Sequence, residues 1–169
     1  SALTLLEIEG DGSGTGVVDG VFPLGTTDAD GYWTTGFRNN EIENGSITLL
    51  LVEDFTGSAG ADLDTDNDWV LDTVPWTRVV DGLSIPDGGA SDGAYASLVL
   101  ARDFDGGTFT VGGASRIPNG VNTGTVADWT RNEYDGFGLP GFAGSPALGE
   151  AINTPGTSNR VYDGPQAGP

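Results

Sequence analysis

Ser46–Glu53 reads SITLLLVE, and Ala2–Glu9 reads ALTLLEIE. Both runs lack Gly and Pro, are dominated by leucine and β-branched residues, and end against acidic or glycine-bearing segments, which predicts strands. In the middle of each, both alternating faces are apolar, as in strands covered on two sides. Working outward, Val17–Leu24, Trp76–Leu83 (WTRVVDGL), Ala94–Ala101 (AYASLVLA) and Gly107–Val111 have the same character between Gly, Asp and Pro. Trp76–Leu83 alternates, with Trp76, Arg78, Val80 and Gly82 opposite Thr77, Val79, Asp81 and Leu83. Apart from Ala61–Val74, no segment free of Gly and Pro exceeds about a dozen residues, which leaves little room for helices. The expected fold is an all-β sandwich with long polar connections.

A chain of 169 residues fits one domain spanning 1–169. From Asn119 the alternation fades, so 119–169 reads as a long wrapped loop anchored by Trp129, Tyr134, Phe137, Leu139 and Phe142. It ends in an extended C-terminal tail, YDGPQAGP, without apolar periodicity.

The composition narrows the chemistry. There is no His, Cys, Met or Lys, and 25 acidic residues face six arginines for a net charge of −19. Nucleic acid and anionic membranes would be repelled, whereas cations, basic partners or a saline habitat suit such a surface. Nucleophilic triads and zinc sites of the usual kind lack their residues. Glu41 with Glu43, or Glu133 with Asp135, could in principle form a glycosidase pair, but nothing distinguishes them from exposed acids, and a non-enzyme is expected. No apolar run approaches the length of a membrane span. The lack of Met fits removal of an initiator before a small Ser1, or cleavage from a signal peptide or a larger chain, and the expectation is a secreted, processed product located outside the cell or at its surface.

The densest feature is the aspartate ladder of Asp62, Asp64, Asp66, Asp68 and Asp72. Steps of two residues keep the carboxylates on one side, where they repel unless screened or bridged by a hard cation. In an EF-hand-type frame, Asp64, Asp66 and Asp68 take positions one, three and five. Val70 offers a backbone carbonyl, and Asp72 is ninth. The sixth position, normally Gly, is Trp69, and the twelfth, normally Glu, is Pro75, so a complete EF-hand is excluded. The candidate ligands are Asp62, Asp64, Asp66, Asp68, Val70 and Asp72, the ion is Ca²⁺, and affinity belongs to the weak extracellular class of about 10⁻⁴ to 10⁻³ M. A solvated acidic turn would account for the same residues. Asp28-Ala29-Asp30-Gly31 and Asp103-Phe104-Asp105-Gly106 repeat the spacing as turns. Four tryptophans (Trp33, Trp69, Trp76, Trp129) could stack on a glycan or serve packing. Asn44-Gly45-Ser46 is both a glycosylation sequon and a turn before a strand.

Several words carry a family likeness: IEGDGSGTGVVD (Ile8–Asp19), IENGSITLLLVEDFTG (Ile42–Gly57), DLDTDNDWVLD (Asp62–Asp72), WTRVVDGLS (Trp76–Ser84), Ser115–Pro118 and NTPGTSN (Asn153–Asn159). In this order they resemble the lamin-tail-like domains of secreted bacterial, particularly cyanobacterial, proteins. The resemblance implies an immunoglobulin-like β-sandwich, usually non-catalytic and often attached to extracellular nucleases or surface proteins. Where those domains carry Gly in the acidic loop, this chain has Trp69. They also open with a strand that is absent before Ala2–Glu9, a run that looks interior to a sheet. An unpaired edge would then invite a strand from another copy, and head-to-tail donation builds a filament. The expectation is a structural subunit that assembles with itself into a filament, sheath or surface layer, stiffened by calcium. The alternatives are an accessory module of a secreted nuclease or phosphatase, and a glycan-binding adhesion module.

Overall fold

In the computed structural model, which describes residues 1–165, the two deciding runs become neighbouring strands. Six strands form: β1 (Leu3–Glu9), β2 (Val18–Pro23), β3 (Ile47–Glu53), β4 (Arg78–Ile85), β5 (Ala114–Arg116) and β6 (Trp129–Arg131). Two three-residue 3₁₀ turns are the only helical segments among the described residues, so the chain is all-β. Neither is long and apolar enough to cross a membrane. The chain divides into two compact units, Ser1–Thr26 with Arg38–Thr110, and Thr27–Phe37 with the chain from Val111 on. The tail reading covers YDGPQAGP, of which residues 166–169 lie outside the described residues.

The first unit contains an antiparallel sheet in the order β2-β1-β3-β4. Leu6 pairs with Leu50, Ile8 with Thr48 and Thr4 with Val52, so matching alternation puts the apolar residues of β1 and β3 on one face. Leu6, Ile8, Val18, Leu50, Val52 and Leu63 form the core, and Phe55, Leu71, Trp76 and Tyr95 close over it from the loops. The opposite face differs from the expectation of full cover: Leu3, Leu5, Leu49 and Leu51 are only half-buried. At the end of the β3–β4 ladder, Arg78 clamps Glu53 in a two-pronged pair with N–O distances of 2.8 and 2.7 Å.

Three strand expectations shift. In β4 the partner of Val52 is Val79 and that of Leu51 is Asp81, so Val80 is bulged and the side chains after it change face. The simple alternation from Trp76 therefore fails, and Trp76 lies before the strand, packed on the core. Ala94–Ala101 meets the sheet through one parallel bridge, Ser84–Val99. Gly107–Val111 forms no strand, and Phe109 within it is 80% exposed.

In the second unit β5 and β6 pair antiparallel, and bridges join Asn132 to Ala151 and Ala151 to Val161. Ala151 and Ile152 are buried there, but polar side chains do most of the anchoring. Glu133 accepts the amides of Phe137 (2.7 Å) and Ser145 (2.8 Å), and Asp128 accepts the Thr123 amide (2.6 Å) and hydroxyl (2.8 Å). Both carboxylates are buried, and each supplies the acceptors that irregular backbone otherwise lacks. Tyr134 is no anchor: it is 85% exposed. Phe142 meets Phe37 at a tilt and Phe137 meets Tyr162 edge to face, at centroid distances of 5.2 and 5.6 Å.

Candidate metal centre

Leu63 fixes the acidic loop to the core. Its side chain is buried, its amide donates to Gly16 O (3.0 Å), and its carbonyl accepts the amides of Asp72 (2.7 Å) and Thr73 (3.2 Å). The chain therefore leaves Leu63 and returns to it, so Asp64 to Asp72 form a closed turn over the sheet. Gly16, at φ +85°, is required beneath it, because a Cβ there would lie 2.6 Å from the Asp64 Cβ.

Asp64 is the pivot. It is fully buried, yet Oδ1 accepts the Asp68 amide (3.2 Å), and Oδ2 accepts the Trp69 amide (3.0 Å) and the Tyr95 hydroxyl (2.7 Å). Burial alone would raise its pKa, but these hydrogen bonds outweigh it and hold the carboxyl below its ordinary value. Asp72 Oδ2 accepts the amide (2.9 Å) and hydroxyl (2.6 Å) of Thr65. Asp66 is pushed upward by the charge of Asp68, then by burial, then by Asp72 and Asp64.

Of the expected ligands, Asp64, Asp66 and Asp72 converge, each offering an oxygen within 4.8 Å of the others. Ligand distances of about 2.3–2.6 Å around Ca²⁺ span such a gap. Asp62 and Asp68 stand outside this trio and cap the turn, accepting the amides of Asp64 (3.1 Å) and Val70 (2.9 Å). Val70 is 64% exposed at the end of the turn.

Trp69 adopts φ +70°, the left-handed conformation that glycine favours at the sixth position of such a loop. Holding a non-glycine there costs about 1–2 kcal/mol. Packing offsets that cost: the indole lies against Gly93, where a Cβ would come 1.9 Å from Cε3, and tilts over Tyr95 at 6.5 Å. The substitution that argued against a metal loop in sequence thus retains the required backbone. Tyr95 itself has no local signal in sequence, since it lies 31 residues from Asp64.

A second acidic group was not foreseen. Glu9 on β1, Asp19 on β2 and Glu43 bring oxygens within 4.8 Å of one another. Buried Glu7 accepts the Glu43 amide (2.6 Å). A carboxyl-to-carboxyl hydrogen bond with Glu9, then burial, then the charges of Glu9 and Asp19 push Glu43 from 4.5 up to about 7. Between those values the native chain holds a proton that the unfolded chain has released. The stability this confers is therefore complete below pH 4.5 and lost as pH rises through about 7. Solvent screening of an exposed carboxyl limits the effect to the order of 1 kcal/mol. Denaturant melts without divalent ions should show this decline, and Glu43→Gln should flatten it. An unchanged slope in the variant would assign the decline to other groups.

The remaining motifs are engaged locally. Asp28 Oδ1 accepts the Asp30 (3.0 Å) and Tyr32 (2.9 Å) amides, and Asp105 Oδ1 the Gly107 amide (3.0 Å), as turn chemistry requires. Glu41 pairs with Arg38 at 2.7 Å, and hydrogen bonds from the Phe137 and Ser145 amides overcome burial to keep Glu133 below its ordinary pKa. The Trp129 ring lies 4.7 Å from the Arg116 guanidinium carbon. Ser46 of the sequon is buried, its hydroxyl accepting the Asp87 amide at 2.9 Å. Comparison with protein-family models, curated proteins and solved structures finds no match to this chain.

Proposed function

We propose that this chain is a non-catalytic extracellular structural subunit of the lamin-tail-like, immunoglobulin-like sandwich type. Calcium stiffens its Asp62–Asp72 loop, and its copies associate into a filament, sheath or surface layer. The observation that carries the reading is the convergence of Asp64, Asp66 and Asp72 around a turn whose sixth position keeps a left-handed backbone despite its indole. Carboxylate oxygens at irregular spacing suit Ca²⁺ better than the stricter octahedral Mg²⁺. Self-association is supported by the outer edge of β4, where Val79 and Val80 are 45% and 38% exposed. β1 is flanked by β2 and β3, so an added strand would join at an outer edge rather than beside β1.

For a dissociation constant of 10⁻⁴ to 10⁻³ M, 10 mM calcium should raise unfolding free energy by about 1.4–2.7 kcal/mol over a chelated sample. Calorimetry and denaturant melts measure this directly. Absence of binding heat together with an unmoved melt ends the calcium reading. Sedimentation velocity tests the other half: species larger than one chain are expected in calcium, and a monomer at every concentration removes the subunit reading.

A further inference from the structure

We infer that Asn44 is a self-modifying site of the folded chain, where the Gly45 backbone nitrogen attacks the Asn44 side-chain amide, expels ammonia and closes a succinimide that water then opens. The chain contains two Asn-Gly steps, Asn44-Gly45 and Asn119-Gly120, and a following glycine favours such closure because no Cβ obstructs the approach of its nitrogen. Both asparagines are exposed, so access does not separate them. Hydrogen bonding does. Asn119 is held at both ends of its carboxamide: Nδ2 donates to the Tyr32 hydroxyl (3.3 Å), and Oδ1 accepts the Asn159 amide (3.0 Å). Ring closure requires that carboxamide to turn, which breaks both bonds. Among the described residues, neither the Asn44 carboxamide nor the Gly45 amide makes a hydrogen bond. The bonds fall on the neighbours instead, from the Glu43 amide to Glu7 (2.6 Å) and from the Ser46 amide to Asp11 (3.1 Å). Nucleophile and electrophile thus lie unengaged within a short span tethered at each end. Ser46, the third residue of the sequon, is buried with its hydroxyl on the Asp87 amide, so folding withholds the sequon while leaving Asn44 exposed.

A C–N bond forms between the Gly45 nitrogen and Asn44 Cγ as the Gly45 amide proton passes to solvent. The Cγ–Nδ2 bond breaks, and the side-chain nitrogen leaves as ammonia with a proton from solvent. Water then adds to either ring carbonyl and breaks that carbon's bond to the Gly45 nitrogen. Hydrolysis at Cγ leaves a normal aspartyl linkage, whereas hydrolysis at the main-chain carbonyl leaves isoaspartate, with the backbone running through the former side chain. Either product adds a negative charge to a chain that already carries −19, beside Glu43 and Asp11. Isoaspartate also lengthens the backbone by one atom between the tethers at Glu43 and Ser46. One tether must then yield, which loosens the entry to β3 at Ile47.

Ageing the whole chain in mildly alkaline buffer, followed by proteolysis and mass spectrometry, reads the change from amide to acid at both steps. In the native chain Asn44 should convert faster than Asn119 by about 10–100-fold, the factor that two hydrogen bonds of ordinary net strength supply. In denaturant the two rates should draw together, because both are then plain Asn-Gly steps. Isoaspartate should accompany aspartate at Asn44, since the ring opens on either side. Tyr32→Phe removes one of the two bonds on Asn119 and should speed conversion there several-fold while leaving Asn44 unchanged. An Asn119 that keeps pace with Asn44 in the native chain overturns the inference. So does an Asn44 that converts only in denaturant, or one that yields aspartate without isoaspartate. The wild-type comparison stands without any variant having to fold.

Discussion

Asp64→Asn should weaken calcium binding by about 10–100-fold, the range seen when groups that orient a metal site are lost. Its carboxylate is the one member of the converging trio that is fully buried, and its position is fixed by two amides and a phenol. An amide keeps one acceptor oxygen but loses the charge, and its NH₂ faces donors where the carboxylate faced them as an acceptor. The variant should also melt at lower temperature in chelator, because those donors then lack an acceptor in a buried setting. Asp68→Asn is the matched control: Asp68 stands outside the trio and is exposed, so its effect should be several-fold smaller. Titration calorimetry on the two variants decides the matter. Equal affinities for Asp64→Asn and the wild type would mean that the ion, if bound, sits elsewhere.

Leu6→Ala should destabilise the first unit by about 2–5 kcal/mol. Leu6 is fully buried at the centre of the sheet, opposite Leu50, with Leu63 of the acidic loop in the same cluster. Truncation leaves a cavity that rigid neighbouring strands fill poorly. The loss shares a cluster with Leu63, which pins both ends of the acidic loop. Calcium should therefore recover less stability in Leu6→Ala than in the wild type. Denaturant melts with and without calcium measure both effects. A loss under about 1 kcal/mol would mean that the loops, rather than this sheet face, hold the unit together.

Strand existence was legible where an uninterrupted run of leucine and β-branched residues was long. Leu3–Glu9 and Ile47–Glu53 lie within one residue of the runs read from sequence, because seven residues of leucine and β-branched character leave few alternatives. Arg78–Ile85 was found but displaced, since a bulge at Val80 shifts the register and no local pattern announces it. Ala94–Ala101 has strand composition, yet it forms only one ladder bridge with the sheet and meets it otherwise through side-chain hydrogen bonds, from the Tyr95 amide to the Thr48 hydroxyl and from the Ala96 amide to the Ser84 hydroxyl. Composition sets a preference, while pairing depends on which neighbours remain available.

The candidate site divides in the same way. The five aspartates of the ladder, and their excess of negative charge, are properties of the chain itself, because a two-residue step places neighbouring carboxylates together in any extended turn. Which of them converge is a tertiary matter. Burial of Leu63 closes the turn on Asp72, and the Tyr95 phenol arrives from 31 residues away to hold Asp64. The grouping of Glu9, Asp19 and Glu43 belongs wholly to the second category, since it exists only once β1 and β2 pair and Glu43 folds onto Glu7. Side-chain alternation and charge act between near neighbours, so they are written in the order of residues. Convergence between distant carboxylates requires a register and a closed loop, and those exist only after the core has formed.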